Sequence, residues 1–218
     1  MLKFALTLML AVLPMAGQMG MGMRPPNMPG AFRPVVGNGA TYKINTHQAD
    51  TIFTFAIVGQ EGPAYWMEIR TSNAQGDVVM KQLMALGGEG QQPQISRMIV
   101  QTGGRPPMEM PMGMMNMQAG RGGRGAGADT AGGRGMGTKV GTESITVPAG
   151  TFECDHYTST SADGKKADVW VSTKVSPYGL VKMVSSDANM ELQKVLEHET
   201  SQIKGEPVKM NIPSMSGR

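Results

Sequence analysis

Val147-Pro148-Ala149-Gly150-Thr151-Phe152, followed by Trp170-Val171-Ser172 and then by Pro177-Tyr178-Gly179-Leu180-Val181-Lys182, is the stretch whose reading decides the fold. Pro148 and Gly150, and again Pro177 and Gly179, are turn-forming residues set between short runs rich in aromatic and β-branched side chains. That spacing spells turn, strand, turn, strand, ending in a tight hairpin. Strands are therefore expected over residues 140–147, 151–160, 168–175 and 179–185. Residues 189–198 place Met190, Leu192 and Leu196 on one strand face. The same positions fit an amphipathic helix, but the neighbouring segments favour a strand.

Working back toward the N-terminus, Gly37-Asn38-Gly39 is a turn signal and residues 40–45 read as a short strand. In residues 51–58, Phe53, Phe55 and Ile57 share one face by the period of two, with Thr54 and Ala56 opposite. After a turn at 59–63, Tyr65, Met67 and Ile69 alternate with Trp66, Glu68 and Arg70, which makes the two segments a hairpin. Residues 77–86 fit a strand or a short helix, with context favouring the strand, and residues 95–102 form the next strand. The expected fold is mostly β: a single curved antiparallel sheet or half-barrel with few short helices.

The chain has 218 residues and a net charge of +3. Its start, Met1-Leu2-Lys3, then an apolar run from Phe4 to Leu13, then Ala16 and Gly17, has the layout of a secretory signal peptide. The run is shorter than the roughly 20 apolar residues that span a bilayer. The reading is a leader over 1–17, a disordered linker over 18–36 rich in Met, Gly and Pro, a β-domain over 37–204 and a mobile tail over 205–218. The protein is expected to be periplasmic or secreted, with no transmembrane segment once the leader is cleaved. No Cys stands directly after the apolar run, which argues against a lipid-anchored start. Cys154 is the single cysteine, so no intramolecular disulfide can form and a packed core must hold the domain.

Residues 106–138 break the strand pattern: a methionine segment is followed by a Gly/Arg/Ala tract, read as a disordered insertion. Basic residues gather around it, with Arg97, Arg105, Arg121, Arg124, Arg134 and Lys139 against Glu109 and Asp129. A basic flexible loop could attract anionic lipid or polyanions, but solubility is the favoured reading of that local excess, and no nucleic-acid partner is expected of an exported chain. Gly120-Arg121-Gly122-Gly123-Arg124-Gly125 has the spacing of a dinucleotide-binding loop but lacks the strand before and the helix after it. No cofactor is implied.

The series 147–152, 170–172 and 177–182, together with Tyr65-Trp66-Met67-Glu68 in the earlier half, resembles exported bacterial proteins of unknown function related to the lipoprotein-carrier (Lol-type) half-barrel. The resemblance implies an antiparallel sheet curved around a hydrophobic cradle, and handling of a lipid or another apolar ligand. Phe53, Phe55, Tyr65 and Trp170, with Val171, are the residues expected to line such a cradle.

Two further chemistries compete with it. Met108, Met110, Met112, Met114, Met115 and Met117 supply soft thioether donors suited to Cu(I). The competing reading is an adaptable apolar segment. Cys154 and His156, two apart on a strand, project to one face and could form a thiol and base pair for a hydrolase or thiol enzyme. Phe152 shares that face, which favours a core position for Cys154. His47 and His198 are isolated, no catalytic motif occurs, and the expected protein is a non-enzymatic binding or envelope protein of open oligomeric state.

Overall fold

The computed structural model describes residues 31–46, 49–73, 76–86, 93–111, 137–160 and 164–209. They form one open sheet of twelve strands: β1 (Gly39–Thr46), β2 (Asp50–Glu61), β3 (Ala64–Asn73), β4 (Gly76–Ala85), β5 (Gln94–Thr102), β6 (Met108–Met110), β7 (Thr138–Val147), β8 (Gly150–Thr160), β9 (Lys166–Val171), β10 (Leu180–Ser185), β11 (Ala188–Leu196) and β12 (Val208–Lys209). The spatial order is β12-β6-β5-β4-β3-β2-β1-β11-β10-β9-β8-β7. All neighbours are antiparallel except β12, which runs parallel to β6. Two meanders, β1 to β6 and β7 to β11, are thus joined by the β1/β11 ladder, in which Gly39 to Thr46 pair with Leu196 to Ala188. No helix occurs among the described residues, in place of the few short ones expected.

Alternation along β1 defines the two faces of the sheet. Ala40, Tyr42 and Ile44 are buried on one face, and Thr41, Lys43 and Asn45 project from the other. Register carries the Tyr42 face to Phe53 and Phe55 on β2, to Met67 and Ile69 on β3, and to Leu192 and Met190 on β11. Gly39 faces a close backbone approach, since a Cβ there would stand 2.5 Å from the Phe55 carbonyl oxygen.

Each face has its own cover. On the Tyr42 face, residues 172–179 form a turn rather than the strand end expected to reach Val175, and they fold Tyr178 over the sheet. The Tyr178 ring meets Phe55 edge-on at 6.1 Å and Phe32 at 5.3 Å, and its hydroxyl reaches Met67 Sδ at 3.5 Å. The Arg33 amide donates to the Pro177 carbonyl, and the Tyr42 hydroxyl donates to the Leu180 carbonyl at 2.9 Å. Buried aromatic rings bring large apolar area, and a buried Tyr hydroxyl needs such a partner.

On the Lys43 face, the segment after β11 crosses the first meander. Its Glu199 amide donates to the Gly37 carbonyl, its Lys204 amide to Gln101 Oε1, and β12 pairs beside β6. Glu68 is 0% exposed beneath it. This carboxylate accepts from Arg70 Nε at 2.8 Å, Ser201 Oγ at 2.7 Å and the Gln202 amide at 2.9 Å. Paired and hydrogen-bonded in this way, a buried charge is tolerated. Two short strands therefore lie where the sequence reads as unstructured: Met108–Met110 at the start of the insertion and Val208–Lys209 in the tail.

Candidate functional site

The four aromatic residues expected to line a cradle do not share one face. Phe53 and Phe55 stack at 6.4 Å on the Tyr42 face, and Tyr65 follows on the same face of β3. Trp170 pairs with Lys182, which pairs with Glu191, which pairs with Lys43, so it projects from the opposite face. Phe55 is 1% exposed beneath Tyr178. The centre of the Tyr42 face is therefore filled by the protein's own side chains. Burial pushes the Tyr178 hydroxyl up to about 12 and raises that of Tyr42 further. Both remain neutral donors near neutral pH.

The part of the Tyr42 face on β3 to β6 has another character. Met67, Gln82, Met98 and Met110 are successive cross-strand partners. Beside them runs a second row, Ile69, Met80, Val100 and Met108. Met84 extends β4 on the same face, opposite Tyr65. Gln82 is buried, and its amide nitrogen donates to Met80 Sδ at 3.2 Å. Exposure rises toward the edge: Met67 and Met98 are buried, Met110 is half-buried and Met108 is 45% exposed. This is a thioether-rich, polarizable patch, apolar apart from Gln82, that reaches solvent at β6.

Neither described cavity suits a lipid chain. One, of about 190 Å³, lies among Arg33, Asp155, Tyr157, Val171 and Tyr178. The other, of about 530 Å³, is bordered by Asp77, Gln101, Arg105, Lys204 and Glu206. The first is below the range of roughly 300–1,000 Å³ typical of ligand sites, and the second sets the charged Asp77, Arg105, Lys204 and Glu206 among Val79, Pro106 and Pro107.

Cys154 and His156 project to one side of β8, as alternation requires, but they do not form a reactive pair. Cys154 is buried in the core, with its thiol 3.5 Å from the Phe152 carbonyl. Burial, reinforced by the Glu143 and Asp155 carboxylates, pushes that thiol up to about 11, which opposes formation of the nucleophilic thiolate. His156 lies between Glu143, 3.0 Å from Nδ1, and Asp168, 2.9 Å from Nε2. It stacks on Trp170 at 4.5 Å, and the Trp170 indole donates to Glu143 at 2.7 Å. The ring thus ties β7, β8 and β9 together. Its two nitrogens point to opposite carboxylates, so the three groups cannot converge on one ion. Among the described residues no cluster of His, Cys, Asp and Glu could hold a metal.

Several expectations fall outside the described residues: the leader, most of the linker, His47, the Gly/Arg tract, and Met112, Met114, Met115 and Met117. Among the described residues no helix is long and apolar enough to cross a membrane. The sequence reading missed Met67, Met80, Met84 and Met98 as a group, because each strand carries only one or two of them. The signal available was the spacing of Met80 and Met84 on one strand face. The chain matches no family model and no curated protein sequence.

Proposed function

We propose that this is an exported, non-enzymatic binding protein that holds a lipid or another apolar ligand against the Tyr42 face of β3 to β6. One observation carries the reading: a methionine-rich patch, with Gln82 between Met67 and Met98, that runs from those buried residues to exposed Met108, beside a region closed by Tyr178. Methionine suits it, because an unbranched thioether reshapes to fit chains of different form. The buried thiol and the doubly paired His156 favour a role without covalent chemistry. The resemblance to the lipoprotein-carrier half-barrel supports the same class of ligand, and the exposed β6 end of the methionine-lined flank, away from Phe55, is where such a ligand would enter.

The test is native mass spectrometry of protein purified from its own host, combined with titration of a fluorescent fatty acid. Binding should be weakened by Met110→Lys, which sets a charge on the face, and left intact by Trp170→Phe, which alters the opposite face. A folded wild-type protein that carries no lipid and does not bind the fatty acid would remove the reading.

A further inference from the structure

We propose that Met98, Met108 and Met110 form a Cu(I) site at the β5/β6 edge of the sheet. Met98 and Met110 are direct cross-strand partners, which sets their Cβ atoms about 4.5–5.5 Å apart. Met108 pairs with Val100, two residues along β5 from Met98, and so stands on the diagonal, at roughly 7–8 Å, within reach of a long side chain. Three flexible thioethers thus rise from one face of two adjacent strands. A methionine has three rotatable side-chain bonds, enough for the three sulfurs to turn toward a common point above the pair.

The neighbouring groups select the ion. Thioethers are soft, neutral donors that favour Cu(I), whereas Zn²⁺ and Ca²⁺ require thiolate, imidazole or carboxylate partners. Glu109, the charged residue between Met108 and Met110, projects to the opposite face and is held there by Arg97 at 2.9 Å. Met80 is the fourth sulfur nearby, but its Sδ accepts from the Gln82 amide. That leaves three donors for a monovalent ion. The gradient from buried Met98 to exposed Met108 gives the ion an entry from solvent and a partly desolvated seat.

Cu(I) uptake and apolar-ligand binding are read by separate titrations, and replacing methionine with leucine removes the sulfur donors while keeping nearly the same volume. The experiment is a competition titration of the full chain against a Cu(I)-selective chelator under reducing conditions. Wild type should take up one Cu(I), and the M98L/M108L/M110L variant should bind roughly tenfold or more weakly. A second variant, with Met112, Met114, Met115 and Met117 changed to leucine, should retain the site. Fatty-acid binding by the wild-type chain, measured in parallel, reads the apolar-ligand proposal separately, so that either can fail while the other holds.

Should the triple variant fold poorly, methionine methyl NMR of the wild-type chain titrated with Ag(I) supplies the second measurement. Shifts centred on Met98, Met108 and Met110 support the site. Absence of Cu(I) uptake by wild type, equal affinity in a folded triple variant, or Ag(I) shifts confined to other methionines would each overturn it.

Discussion

Cys154 and His156 show how two residues of one strand face can receive opposite environments. His156 stays at the rim, where Glu143, Asp168 and Trp170 hold its ring. Cys154 turns into the core, and desolvation keeps its thiol protonated to about 11. In the unfolded chain a thiol ionises near its ordinary value of about 8.5–9. Below that pH the two states bind the same proton and Cys154 adds no pH dependence. Between about pH 9 and 11 the unfolded chain releases the proton while the folded one retains it, so stability falls as pH rises. Tyr178 and Tyr42 add a similar decline at higher pH, because burial raises both of their hydroxyls. Chemical denaturation at pH 8 and pH 10.5 should therefore show a smaller alkaline loss in Cys154→Ala than in wild type. The folded wild-type thiol should also react with a maleimide far more slowly at pH 8 than the denatured chain does. Equal alkaline losses, or fast labelling of the folded protein, would contradict this account of Cys154.

The segment after β11 depends on one buried carboxylate for its seat. Glu68 lies beneath Ser201 and Gln202 and is paired with Arg70, which also reaches Glu199 at 2.7 Å. Truncating one partner of a buried charge pair costs about 3–5 kcal/mol when the other charge is left without compensation. Glu199 still serves Arg70 here, so Glu68→Ala should lose about 3 kcal/mol, at the low end of that range. Hydrogen exchange should then accelerate at Gln202, Lys204 and Val208, whose amides anchor the crossing segment, before it accelerates at β1. Unchanged exchange at those amides would show that Glu68 does not seat the segment. Such long-range anchors explain what could be read from the sequence and what could not. The strands at 39–46, 50–61, 64–73 and 150–160 were legible because period-two alternation and turn residues act locally. Glu68, 133 residues from Ser201, reads in sequence only as the polar side of a strand. Tyr178 likewise reads as part of a turn, and only the folded chain brings it over Phe55. The thioether rows were hidden for the same reason, since cross-strand register is not written in any single strand.

Chain order makes the two meanders one molecule in three places. In the plane of the sheet, β1 pairs with β11. On the Tyr42 face, Tyr178 of the second meander packs on Phe55 and reaches Met67 of the first. On the Lys43 face, the segment from Glu199 to Lys204 spans the first meander from Gly37 to Gln101. A long open sheet held by one ladder would be expected to come apart there, but these two clasps grip it from both sides. The chain carries two tryptophans, Trp66 on β3 in the first meander and Trp170 on β9 in the second. Single-tryptophan variants therefore report each half separately in urea unfolding. With the clasps intact the two transitions should coincide, as a cooperative unit requires. Introducing Tyr178→Ala together with Glu68→Ala removes the main side-chain anchor on each face and leaves the β1/β11 ladder with the clasps' backbone contacts, such as Arg33 to Pro177 and Glu199 to Gly37, so the two midpoints should then separate. Which half melts first follows from what each retains: among the described residues β7, an edge strand exposed along most of its length, pairs only with β8, whereas β6 is capped by β12. The Trp170 transition should come at the lower urea concentration. Midpoints that still coincide in the double variant would place the coupling in the β1/β11 ladder and the remaining backbone contacts rather than in Tyr178 and Glu68.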